Sequence, residues 1–116
     1  MSNPLGLPYT PAVAVGDWVV VSGQLGLRDG QLPDGFADEV DQAIANLADR
    51  LAEHGLGLQH VVKTTCFLLD LDQFGEFNER YAAALPEPRP ARSAFQVARL
   101  PLDARVEIEA WAHRDR

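Results

Sequence analysis

At 116 residues, 47% apolar and 23% charged, the chain suits a single domain that buries a core without metals or disulfides. Seventeen acidic against ten basic residues leave a net charge of −7 with no Lys/Arg stripe, which argues against nucleic acid and for small-molecule work, though a local cationic pocket can still take an anion. Cys66 is the sole cysteine, so no internal disulfide forms and a reducing, cytoplasmic setting fits; no apolar run approaches the ~18 residues of a membrane span.

The chain opens Met-Ser-Asn-Pro-Leu-Gly-Leu-Pro, without the basic start and apolar run of a signal peptide. Ala12 to Val15 is strand-like and meets the turn pair Gly16-Asp17. Trp18 to Val21 follows, rich in β-formers, and stops at Ser22-Gly23, so the two runs predict a hairpin. Asp29 to Gly35 reads as loop.

A first helix is predicted over about Ala37 to His54. Val40, Ile44, Leu47 and Leu51 share one face, Asp38 and Glu39 suit its positive first turn, and Gly55 suits its end. A strand follows over about His60 to Leu69. Asp70, with Gln73 three residues on, resembles a capping box for a second helix striped by Phe74, Phe77 and Tyr81. Pro86-Glu87-Pro88-Arg89-Pro90 ends that helix. Two closing strands are predicted, about Arg92 to Ala98 and Arg105 to His113, around a Pro101 to Ala104 loop. In the last, Val106, Ile108, Ala110 and Ala112 alternate with Glu107, Glu109, Trp111 and His113. A face mixing carboxylates with Trp111 is a candidate interface or site. The order β-β-α-β-α-β-β predicts an α+β fold, one sheet with two helices on one face.

Arg92 begins a strand among small and apolar neighbours. A guanidinium there needs an anionic partner, either one of the chain's own acids or a bound carboxylate. Glu107, between Val106 and Ile108, reads either as a solvated strand glutamate or as a base that positions water. Pairing the last two strands as a hairpin would set Glu107 opposite about Val97, with Arg92 roughly 17 Å away. Serving one site then requires another pairing or a neighbouring subunit. Cys66 reads as a buried thiol, and His54, His60 and His113 lack metal-ligand spacing. No glycine-rich nucleotide cradle is present, and Tyr9 reads as packing an N-terminal arm.

Four segments together resemble the RidA/YjgF family of enamine/imine deaminases, also called the endoribonuclease L-PSP family. They are Pro8-Tyr9-Thr10-Pro11-Ala12-Val13; Val21-Ser22-Gly23-Gln24; Val61-Val62-Lys63-Thr64-Thr65 through Leu69-Asp70-Leu71-Asp72-Gln73-Phe74 to Phe77-Asn78; and Pro90-Ala91-Arg92-Ser93 through Val97-Ala98-Arg99-Leu100-Pro101 to Val106-Glu107-Ile108-Glu109-Ala110. The resemblance implies a chorismate-mutase-like fold over residues 1–116 and a homotrimer with clefts between subunits. It implies cofactor-free, metal-free hydrolysis of 2-imino acids, derived from 2-aminoacrylate and its homologues, to 2-keto acids and ammonia. By position it makes Arg92 the group that binds the substrate carboxylate and Glu107 the glutamate associated with the attacking water. Tyr9, Ser22 and Gly23 line the pocket, and Ala94 faces the ligand through its backbone. Pro11 replaces the family's usual glutamine, and Ala94 stands where cysteine or asparagine is frequent. A small-carboxylate-binding module of the same fold and a ribonuclease are the competing readings; the net charge weighs against the ribonuclease.

Overall fold

The computed structural model describes residues 6–116; the opening residues 1–5, read above for a signal peptide, lie outside them. Strands β1 (Ala12–Val15) and β2 (Trp18–Leu25) form the hairpin expected at Gly16-Asp17, where Gly16 takes a φ of 58°. Helix α1 (Phe36–Ala52) and helix α2 (Phe74–Ala84) alternate with β3 (Val61–Leu68), β4 (Ala91–Gln96) and β5 (Val106–His113). The sheet order is β1-β2-β5-β3-β4. Among the described residues no helix is long and apolar enough to cross a membrane.

The helical periodicity sets the core. Val40, Ile44, Leu47 and Leu51 are buried with Phe36 and Ala43, and they meet Val19, Val21, Ile108 and Ala110 from the sheet. Each large side chain so buried contributes roughly 1.5–3 kcal/mol relative to exposure. Gly55 ends this segment with a φ of 75°, a left-handed conformation in which a Cβ is strained. Phe77 and Tyr81 of α2 complete the same core, so both helices cover one face. In β5 the alternation is realised: Val106, Ile108, Ala110 and Ala112 are buried, and Glu107, Glu109, Trp111 and His113 face the other way. That second face also carries Val13, Val15, Trp18, Val20 and Phe95, all exposed.

Three expectations are corrected. The last two strands are not a hairpin: β4 runs parallel to β3, and β3 separates it from β5. The connection from residue 97 to 105 carries the chain across the end of β3, through the short turn Pro101–Asp103 in which Leu102 and Asp103 both take a φ of 59°. Next, β2 does not stop at Ser22-Gly23. Its register with β5 passes from Val21↔Ala110 to Gln24↔Ile108, so one extra residue is inserted and the pair marks a β-bulge. Last, Asp70 does cap, but through the Asp72 N–H (2.9 Å), and the turn it starts is the single 3-10 turn Leu71–Gln73 leading into α2. The second closing strand also begins one residue later than expected, and β4 ends at Gln96.

One buried ion pair ties helix to sheet. Glu39 of α1 is fully buried and accepts from the Arg105 backbone N–H (2.7 Å) and from Arg105 Nε (2.6 Å). The other guanidinium nitrogens donate to the Asp34 and Pro33 carbonyls at 3.1 and 2.9 Å, which anchors the loop before α1 beside the start of β5.

Candidate active site

Glu107 lies at the β2 bulge. β5 pairs it with Leu25 on one side and Phe67 on the other. The bulge brings Gly23 under its side chain: a Cβ on Gly23 would sit 2.6 Å from Glu107 Oε2. The backbone therefore approaches the carboxylate closely only because residue 23 has no side chain. Half-burial raises the proton affinity of Glu107, and the neighbouring charge of Glu109 raises it further.

The N-terminal arm forms the opposite wall. Ser22 Oγ donates to the Thr10 carbonyl (2.7 Å), and the Ser22 N–H donates to the Pro11 carbonyl (2.9 Å). These bonds hold the segment beside β2, and the Tyr9 N–H donates to the Leu7 carbonyl at 2.8 Å. Leu7, Tyr9, Ser22, Gly23, Leu25 and Pro101 line a cavity of about 220 Å³ with Glu107. Four of the residues singled out in the sequence, Tyr9, Ser22, Gly23 and Glu107, thus meet in one place.

Arg92 and Ala94 are elsewhere. Arg92 registers with Thr64 of β3 and turns toward the helices. Its Nη1 donates to Asn78 Oδ1 at 2.8 Å. Its guanidinium carbon lies 5.0, 5.4 and 5.8 Å from the ring centres of Tyr81, Phe74 and Phe77. Among the described residues no carboxylate pairs with it. An edge-strand guanidinium surrounded by rings and one amide has most of its donors left over. Ala94 lies two residues on, opposite Cys66 and packed against the core. The residues predicted for the site thus divide into two groups on opposite faces of the sheet.

Asn78, Phe74, Phe77 and Tyr81 had no functional reading in the sequence. The aromatic stripe reads as core, and Phe77 and Tyr81 are core; only the tertiary fold places β4 against the same stripe. Beneath them the Tyr81 and Thr64 hydroxyls share a hydrogen bond of 2.7 Å, and Cys66 Sγ donates to Thr64 Oγ1 at 3.8 Å. Burial pushes the Cys66 thiol up to about 11, so it is not a nucleophile near neutral pH.

One group of possible metal ligands exists among the described residues: Asp17, His113 and Asp115. His113 Nδ1 already accepts a hydrogen bond from the Asp115 N–H (3.1 Å).

The endoribonuclease L-PSP family model matches residues 3–114. A mouse protein named 2-iminobutanoate/2-iminopropanoate deaminase is 46% identical over 108 residues, covering 90% of this chain and 80% of the mouse one. RidA from an Antarctic Psychrobacter has a TM-score of 0.90 at 40% identity, over 93% of this chain and 89% of that one. Escherichia coli TdcF, crystallised with bound serine, has a TM-score of 0.85 at 35% identity, over 92% and 88%. Matched along nearly its whole length in sequence and in fold, this chain belongs to the endoribonuclease L-PSP family, the RidA/YjgF proteins.

Proposed function

We propose that this protein hydrolyses 2-imino acids such as 2-iminopropanoate and 2-iminobutanoate, with their enamine tautomers including 2-aminoacrylate, to 2-keto acids and ammonia. The observation that carries the reading is Arg92: a half-buried guanidinium on the edge strand β4, unpaired with any carboxylate among the described residues. Its fork takes the substrate carboxylate in two parallel N–H···O bonds. The relatives named as imine deaminases supply the substrate class.

The chemistry needs little more. The iminium carbon is already electrophilic. Glu107 accepts a proton from water as the oxygen adds to that carbon, giving a tetrahedral carbinolamine. The same carboxyl then returns the proton to nitrogen; as the C–N bond breaks, the freed carboxylate takes the hydroxyl proton, the C=O forms, and the departing ammonia carries that proton away as ammonium. A carboxyl held above its ordinary proton affinity suits both steps. Tyr9, Ser22 and the Gly23 backbone bound the pocket, and Ala94 offers main-chain atoms beside Arg92.

Because the two half-sites face away from each other in one chain, the working site lies between copies, which we assign as a homotrimer. The exposed Val13, Val15, Trp18, Val20 and Trp111 form the apolar face such an assembly would cover. A cytoplasmic location accords with the lone reduced cysteine, and the net charge of −7 accords with a small acid rather than nucleic acid as partner. A module that binds carboxylates without turnover would use the same arginine. The test is keto-acid formation from a threonine/serine dehydratase reaction: the wild type should accelerate it and Arg92→Ala should not. Equal rates with wild type, variant and no protein would sink the deaminase reading.

A further inference from the structure

The arginines of this chain are held in different ways, and Arg116, for one, donates to the backbone carbonyls of Gln59, Pro88 and Arg89. Arg50, Arg80, Arg89 and Arg105 pair with Glu53, Asp41, Glu87 and Glu39. Arg80 is the sharpest contrast, since it lies on α2 two residues from Asn78 and is gripped by both oxygens of Asp41 at 2.8 and 2.6 Å. Arg92 meets the same helix and takes an amide instead. In a chain with seventeen acidic residues, a carboxylate at position 78 would complete a strong ion pair. It would also cancel the charge that a substrate carboxylate needs.

We propose that Asn78 is a positioning residue that restrains Arg92 without neutralising it, leaving the guanidinium charge and its remaining donors to the carboxylate of the bound imino or keto acid. The inference rests on the reading of Arg92 as the substrate clamp. Asn78 Oδ1 engages a single N–H on Nη1 and so fixes the rotation of the fork. The rings of Phe74, Phe77 and Tyr81 crowd the guanidinium and attract it through their quadrupoles, and a ring attracts a cation without cancelling its net charge. The Thr64–Tyr81 hydroxyl bond fixes the nearest ring from below. What is left is a set of aimed donors on a cation with no internal counter-ion, the preorganisation a bidentate anion site requires.

Asn78→Asp separates this role from a structural one. Aspartate keeps the shape and the accepting oxygen, so a merely structural amide predicts that Asn78→Asp is milder than Asn78→Ala. Neutral restraint predicts the reverse order. The experiment measures 2-ketobutyrate binding by calorimetry, thermal melts, and KM and kcat in the dehydratase-coupled assay for wild type, Asn78→Asp, Asn78→Ala and Arg92→Ala. Asn78→Asp should melt at or above the wild-type temperature, yet bind 2-ketobutyrate about tenfold more weakly or worse, with KM rising in step. Asn78→Ala should show a smaller rise. The inference is overturned if Asn78→Asp binds like wild type, if Asn78→Ala is the weaker binder, or if Asn78→Asp melts far below wild type. Wild-type binding by Arg92→Ala would instead bring down the clamp reading itself, so the two failures are distinguishable.

Discussion

Arg92 and Glu107 stand on opposite faces of one sheet, with β3 between their strands: Arg92 registers with Thr64 and Glu107 with Phe67. Three residues along β3 and two strand spacings across it separate their α-carbons by about 14 Å, before the opposite directions of the side chains are counted. If one site uses both, each copy gives Arg92 to one cleft and Glu107 to another. Arg92→Ala and Glu107→Gln should each be inactive alone. Assembled together in equal amounts, they should recover about a quarter of the wild-type activity, because that share of clefts receives both intact groups. No recovery in a verified mixed assembly would exclude a shared site.

Gly23→Ala should inactivate without unfolding. The new Cβ would lie 2.6 Å from Glu107 Oε2 and 2.7 Å from its Cδ, so the carboxylate must move. A side-chain tip moves cheaply, and the melting temperature should stay within about 4 °C of wild type. A displacement near 1 Å at the reacting group can lower kcat/KM by roughly a hundredfold. Unchanged turnover would mean that the carboxylate need not lie over the bulge.

Stability should depend on Glu107 with a definite sign. Burial first, and Glu109 second, raise its proton affinity above the ordinary value of 4.5. A raised acid favours the folded state while protonated, so its contribution is complete below pH 4.5 and is lost as pH rises through the raised value. Glu107→Gln removes that loss. The variant should be more stable than wild type at pH 7 to 8, with the gap closing toward pH 4, while deaminase activity is absent throughout. A gap that widens toward pH 4 in urea titrations would contradict the burial argument.

Glu39→Ala should be among the most damaging substitutions outside the site. It strands Arg105 and leaves a cavity where a fully buried carboxylate accepted two hydrogen bonds. Breaking one partner of a buried pair typically costs about 3–5 kcal/mol. Urea unfolding measures this directly, and a loss below about 1 kcal/mol would show that the pair adds little.

The parts of this fold visible in the sequence are those set by local period. Val40, Ile44, Leu47 and Leu51 face the core because they recur on one helical face, and β5 divides by its period of two. Strand partners are a different matter. A short link between two strands ordinarily signals a hairpin, and nothing local announces that residues 97–105 step across β3. The Ser22-Gly23 bulge resembles a strand end because glycine weakens strands, and its use under Glu107 appears only once β5 is beside it. Family resemblance named Tyr9, Ser22, Gly23, Arg92, Ala94 and Glu107 as one site, and only the tertiary fold separates Arg92 and Ala94 from the other four. The surroundings of Arg92 were not legible, because they come from a helix fourteen residues away in the chain.

The strands that carry the two half-sites differ in how firmly they are held. β5 is paired along both edges, by β2 and β3, with its apolar residues sealed beneath α1. Among the described residues β4 is paired along one edge only, and it is mostly exposed. Hydrogen exchange should accordingly be slow around Glu107 and fast around Arg92, and on warming β4 should open before the domain unfolds. With Arg92 as the proposed clamp and Glu107 as the proposed base, heat would first loosen the grip on the substrate's carboxylate while the carboxyl on β5 is still in place, so affinity should fade at temperatures where the bulk of the molecule is intact.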